Sequence, residues 1–369
     1  MIKRIWFLII AILICAGAIF GCAPSHSDKT PETPEPTQVL TTIPTLSPTE
    51  FHSADPTQCP FDEPSPKPIT QELDYFAIPD AIRDKLTAAD IDAYEKIIPA
   101  YLGYETSIEF SADDEIVSLE YLIELCFPIF YSDVDETSIE YGSNTVSWKY
   151  TTTEKEHAEL ISQFESKALD YIALLTNDDS MAMRCLVIYN AFTSRVKYDT
   201  PTSDYYDGTD PDYDGELYDH CFDSILNEKG VCWCYGRGYA FLLNQIGVEA
   251  LTVSADGGVG HHEWTLFKLG GKWYYADPTW DKSESLTFFG FTSNARTSYG
   301  YYVVNTRYFA GADYPIEGVF DISDTRFSDI YTGVCFGDFY ELDRENNQVV
   351  FYDYSGGGIY EVSAEFDLG

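Results

Sequence analysis

Apolar side chains recur at helical spacing over residues 78–101, which predicts one or two helices, and again over 115–127, 154–175 and 181–196. The last of these is opened by Asp178-Asp179-Ser180, whose side chains can accept from the unpaired amides of a first turn. Between the second and third segments the period drops to two. Ile139, Tyr141, Val146, Trp148 and Tyr150 alternate about Gly142-Ser143-Asn144, so 137–141 and 146–150 should form a hairpin. Further on, Tyr235, Tyr239, Leu242, Leu243 and Ile246 fall on one face of a helix that Gly247 ends. A strand follows at 248–254, and 261–269 and 272–277 flank Gly270-Gly271, a two-residue hairpin signature. After Tyr308 short aromatic strands are expected at 339–342, 349–352 and 359–362. The whole reads as α+β without an internal repeat.

The first part of the chain has neither period. Residues 1–21 carry Lys3 and Arg4, an apolar run from Ile5 to Phe20, and Gly21, the order of a secretory signal. This run of about 16 residues falls short of the roughly 20 a bilayer span needs. Ile19-Phe20-Gly21-Cys22 resembles a bacterial lipobox, although Phe20 is unusual there. That resemblance implies lipid attachment at Cys22 and a protein anchored on the outer face of a bacterial cytoplasmic membrane. Residues 22–70 hold eleven of the 18 prolines, with much Thr and Ser, and read as a disordered tether in which Cys59 is a bystander. A mostly helical region (71–176), a catalytic domain (177–290) and a β-rich segment (291–369) are expected to follow.

Charge narrows the partners. With 22 Lys plus Arg against 61 Asp plus Glu, the formal charge is -39, the wrong sign for a phosphate backbone, so nucleic acid is not expected. The loop 204–216 concentrates this charge, and Asp210-x-Asp212-x-Asp214-Gly215 imitates the start of a calcium loop, but Cys221 stands where the bidentate acid belongs. A solvated loop, or a lip that turns away acidic substrates, is the expectation. The 29 tyrosines are assigned to packing rather than sugar binding.

The chemistry lies in Gly230-Val231-Cys232, which opens the helix bearing Tyr235. A thiol in a first turn feels unpaired amides that favour its thiolate. If Leu269 pairs with Lys272, His262 falls opposite Thr279 and Asp277 lies two residues along on the same face, whereas His261 points to the other. A three-residue loop would reverse that choice. Thiol, imidazole and carboxylate are the parts of cysteine-dependent acyl transfer.

At these residues the sequence resembles the transglutaminase-like superfamily. The matching runs are Cys232, Tyr235, Leu242, Leu243 and Gly247; His262 and Trp264; and Gly271-Lys272-Trp273-Tyr274 through Asp277, Thr279, Trp280 and Asp281. Val196-Lys197-Tyr198-Asp199 and Phe222-Asp223-Ser224-Ile225-Leu226 resemble upstream runs of that family. The resemblance implies a cysteine-proteinase fold, with a Cys-bearing helix on an antiparallel sheet that carries His and Asp. It also implies Cys232 as nucleophile, His262 as general base and acid, and Asp277 as the orienting carboxylate. Two departures stand out: Cys234 replaces a usual Gly, and Glu263-Trp264-Thr265 replaces Ala-Trp-Asn. Cys126, Cys185 and Cys335 are expected to be structural, and Cys234 to pack. No metal or organic cofactor is implied. The expected function is a surface-anchored enzyme that cleaves or transfers the acyl group of a peptide or protein through a thioester, hydrolysis leading. The alternative is a non-catalytic surface binding module with a relic triad.

Overall fold

The computed structural model describes residues 68–69, 71–111, 115–257, 260–281, 286–292, 307–308, 314–316, 319–327, 339–354 and 360–368. The expected export signal, Cys22, nearly all of the tether with Cys59, and Cys335 lie outside them. Among the described residues no helix is long and apolar enough to cross a membrane.

The periodic segment at 78–101 is two helices, α1 (Asp80–Arg83) and α2 (Ala88–Leu102). Thr87 divides them: its side chain accepts from Asp90 N while the Asp90 carboxylate accepts from Thr87 N, a reciprocal cap that starts a new helix. The next helix is shorter than its apolar pattern. Asp90 Oδ1 accepts from Val117 N and Ser118 N at 2.9 and 2.8 Å, which fixes those residues as an entry turn and delays α3 to Leu119–Cys126. The hairpin turns where expected but is short. Glu136–Ser138 coils into a 3-10 turn capped by Asp135, so only β2 (Glu140–Tyr141) pairs β3 (Thr145–Ser147). A strand without a sequence signal, β1 (Ser107–Glu109), adds to the other edge of β3.

Helices α4 (Glu154–Ile172) and α5 (Met181–Arg195) begin at Thr153 and Ser180, both accepting from a first-turn amide. Beyond them come β4 (Lys197–Tyr198), α6 (Thr200–Tyr206), α7 (Cys221–Leu226), β5 (Lys229–Gly230) and α8 (Cys232–Gln245). A six-stranded antiparallel sheet follows in the order β11-β10-β6-β7-β8-β9, from β6 (Ala250–Gly257), β7 (Gly260–Leu269), β8 (Lys272–Ala276), β9 (Phe289–Phe291), β10 (Arg307–Tyr308) and β11 (Tyr314–Pro315). The C-terminal strands β12 (Phe339–Asp343), β13 (Gln348–Tyr354) and β14 (Tyr360–Asp367) form their own antiparallel sheet.

Helix α8 occupies the middle, against β6 and β7 on one side and α3, α5 and α7 on others. Tyr239, Phe241, Leu242 and Leu243 are fully buried there, each long apolar side chain contributing about 1.5–3 kcal/mol by leaving water. The chain is therefore an α+β protein built around one helix that is apolar on nearly every side, and that helix begins with Cys232.

Candidate active site

Two short strands set where the thiol stands. β4 and β5 pair in parallel, Lys197 with Lys229 and Tyr198 with Gly230, and the chain then turns at Val231 into α8. Val231 offers no side-chain cap, so the first-turn amides of α8 get no side-chain partner from it. Cys232 is the first helical residue and is 6% exposed.

The histidine and carboxylate are set by a turn. Leu269 pairs with Lys272 across Gly270 and Gly271, whose φ values of 53° and 75° both lie in the left-handed region. A two-residue turn with positive φ at both positions favours glycine and fixes an even register. Pairing runs back to Thr265 and Ala276. Three residues back from Thr265 stands His262 and one past Ala276 stands Asp277, and His262 Nε2 lies 2.7 Å from Asp277 Oδ2. His261 is exposed and still borders the same cleft, so parity separates the two histidines by their neighbours rather than by distance from the opening.

The strand approaches the helix closely because Gly236 has no side chain. A Cβ there would stand 3.0 Å from the Trp264 Cα, and Thr265 Oγ1 donates to Gly236 O at 2.8 Å. This contact sets the spacing between β7, which carries His262, and the helix that carries Cys232.

Asp277 is fully buried, its Oδ1 accepting from Thr279 N at 3.1 Å and its Oδ2 from His262. Its backbone is braced as well: Asp277 N donates to Phe288 O at 2.8 Å, and Tyr189 Oη lies 3.1 Å from Asp277 O. The single Tyr189 proton goes to the nearer acceptor, Asp281 Oδ2 at 2.7 Å, which also accepts from Phe288 N. Burial of the His262 ring favours its neutral form, but the Asp277 charge and hydrogen bond, with a hydrogen bond to Cys232, outweigh it and push the imidazole up from 6.5 to about 10. With Nε2 committed to Asp277, Nδ1 is the nitrogen left for the sulfur. Trp280 Nε1 stands 3.2 Å from Nε2, where the proton shared with Asp277 leaves it nothing to donate to; the half-exposed indole acts as a cover over the pair.

A cleft of about 240 Å³ opens over these groups. Its walls are Tyr198 from β4, Ser203 and Tyr206 from α6 with Asp207 at its end, Cys232 and Trp233 from the start of α8, His261 and His262 from β7, and Thr279 and Trp280 beyond β8. The acidic loop is pinned at its far end: Trp233 Nε1 donates to Asp219 O at 2.7 Å, and Tyr206 Oη donates to the Asp219 carboxylate. Asp210, Asp212 and Asp214 are exposed, and among the described residues no group of three or more His, Cys, Asp or Glu is placed to hold a metal ion.

The other described cysteines are sealed. Burial pushes the Cys126 thiol up to about 12 and raises Cys221 and Cys234, and Cys185 is buried on α5. Cys234 packs behind Gly230, with its sulfur 3.5 Å from Tyr218 O. Sequence reasoning quoted Tyr198 only within a run that resembles the family, gave it no place in a cleft, and did not single out Tyr206 or the Tyr189 brace. Nothing in the 181–196 periodicity distinguishes Tyr189 from a core residue; its partner Asp281, four residues past Asp277, was the only available signal.

No family model matches the chain, and no curated protein matches it. Among solved structures it is similar to a proposed cysteine protease from Cytophaga hutchinsonii, at 18% identity over 27% of this chain and 31% of that one, with a TM-score of 0.21. It is also similar to a transglutaminase (TGase), at 14% identity over 39% of this chain and 43% of that one, with a TM-score of 0.29. The chain thus spans less than half of either structure, and likenesses of this size carry no argument about chemistry.

Proposed function

We propose that this protein is a transglutaminase-like cysteine enzyme that cleaves or transfers an amide or peptide acyl group through a thioester at Cys232. The observation that carries the reading is the His262 ring, held by the buried Asp277 carboxylate on one side and hydrogen-bonded to the Cys232 thiol on the other, at the floor of an open cleft. In the first step the Cys232 sulfur attacks the carbonyl carbon, the thiol proton having passed to His262. The amides at the start of α8, which Val231 leaves without a side-chain cap, serve as preorganised donors for the developing oxyanion. His262 then protonates the departing amine, leaving a thioester. Water or a second amine, deprotonated by His262, attacks that thioester and releases Cys232. Asp277 stays ionised throughout and fixes the ring's tautomer and orientation.

Water is the more abundant acceptor, so hydrolysis leads. The carboxylate of Asp207 on the wall favours substrates without acidic groups beside the reacting carbonyl. As part of the same proposal, Cys22 carries the lipid that anchors the enzyme outside the membrane, and intact mass of the membrane-extracted protein tests it. A mature N-terminus other than modified Cys22 contradicts the anchoring alone. The catalytic reading is tested by incubating the full chain with peptide and glutamine-amide libraries, with and without added amine, beside Cys232→Ala. Turnover lost in Cys232→Ala supports it; turnover equal in both overturns it.

A further inference from the structure

Glu263, one of the two departures noted beside the histidine, has a partner on the catalytic helix. Arg237 Nε and Nη2 stand 2.8 and 3.2 Å from the two Glu263 oxygens, a two-pronged pair in which the carboxylate is only 9% exposed. Arg237 belongs to α8, which begins at Cys232, and Glu263 directly follows His262 on β7. We propose that Arg237 and Glu263 are positioning residues that lock β7 to α8 and thereby hold the His262 ring over Cys232; the proposal rests on the catalytic reading above.

Three features support a positioning role. The Glu263 side chain lies on the same face of β7 as Thr265, whose hydroxyl donates to Gly236 O at 2.8 Å, so two adjacent ties on one face clamp the strand to the helix beside His262. A guanidinium fork meeting a carboxylate with two parallel bonds fixes orientation as well as distance, which a single bond to lysine does not. Finally, the arginine cannot swing away. Its Nη1 lies 3.2 Å from Glu124 Oε2 on α3, and Glu124 Oε1 lies 3.4 Å from His220 Nδ1. His220 in turn meets Glu136 at 3.1 Å through Nε2 and is stacked between Tyr131 and Phe222, each 5.5 Å away. The chain of charges thus runs from the catalytic strand through the catalytic helix into α3 and the 3-10 turn at Glu136.

The test uses the full chain and two readouts: the rate at which iodoacetamide labels Cys232 well below the melting temperature, and the His262 ring N–H resonance in proton NMR. Glu263→Gln keeps the shape and removes the charge; Arg237→Lys keeps the charge and removes the fork. Each should slow labelling by about 10- to 100-fold, the cost of a misplaced catalytic group, and shift or broaden the ring resonance. Glu249→Gln, which breaks the 3.1 Å pair with Lys268 elsewhere on the same strand, should change neither. If Glu263→Gln does not fold, Arg237→Lys carries the test. Wild-type labelling and an unchanged resonance in the variants would overturn the proposal and leave the triad standing. If instead His262→Ala labels like wild type, the catalytic reading fails and the proposal with it.

Discussion

Among the described residues are two buried histidine–aspartate pairs of almost the same length: one borders the cleft described above, and the other is sealed in the core. His262 Nε2 meets Asp277 at 2.7 Å, and His157 Nδ1 meets Asp133 at 2.8 Å. The difference lies at the second ring nitrogen. In His157 it faces the Tyr101 carbonyl at 2.7 Å, so both nitrogens are taken up within the core, and Tyr101 Oη and Thr152 Oγ1 donate to the same aspartate. That ring is closed on all sides and ties α2 and α4 to the turn at Asp133. In His262 the second nitrogen is turned to a thiol at the start of a helix. A carboxylate–imidazole pair is thus a rigid joint in one place and, under the function proposed above, a proton relay in the other, according to what the far nitrogen meets.

Exchanging the two histidines for alanine should separate these roles. His262→Ala is expected to slow Cys232 alkylation in the folded protein by about 10²- to 10⁴-fold, and also to lower stability because it leaves the buried Asp277 without its imidazole. His157→Ala leaves the buried Asp133 with one hydrogen-bond partner fewer and should cost about 1–3 kcal/mol of stability by denaturant titration, with Cys232 reactivity in the folded protein unchanged. Matching losses of reactivity in both variants would erase the distinction.

A smaller effect concerns pH. Because folding raises the His262 imidazole from 6.5 to about 10, the pair's contribution to stability is whole below about pH 6.5 and is lost as pH rises toward 10. His220, pushed up to about 11 by Glu124, Glu136 and Asp219 against the pull of burial, acts in the same direction. The difference between wild type and His262→Gln, measured by denaturant titration from neutral to alkaline pH, isolates the first term and should shrink with rising pH. A difference that grows would mean the ring is held neutral. Smaller again is Gly236→Ala, whose methyl must push Trp264 away. About 1–3 kcal/mol of overpacking is expected, with slower Cys232 labelling than in a substitution of equal cost elsewhere.

Much of this is legible in the amino-acid sequence. Period-two alternation and Gly270-Gly271 suffice to pair Leu269 with Lys272 and put His262 beside Asp277, because strand parity admits no partial answer. The helix at Cys232 was equally plain from its apolar face and terminal glycine. The sequence was silent where side chains meet across long separations: Asp90 truncating α3 through Val117 and Ser118, β1 joining β3, and Tyr189 reaching Asp281. Glu263 registered only as a departure from a pattern. Its meaning needed Arg237, 26 positions earlier, whose distance from it no periodicity encodes.

Limiting iodoacetamide on the folded full chain, read by peptide mass from about pH 5 to about pH 9, tests the central claim most directly. Of the described cysteines, Cys232 alone lines the cleft, and it should be labelled first, with the rate dependent on His262. Cys126, Cys185, Cys221 and Cys234 should react only after denaturant exposes them. Labelling of Cys234 before Cys232, or a Cys232 rate that His262→Ala leaves unchanged, would contradict the account.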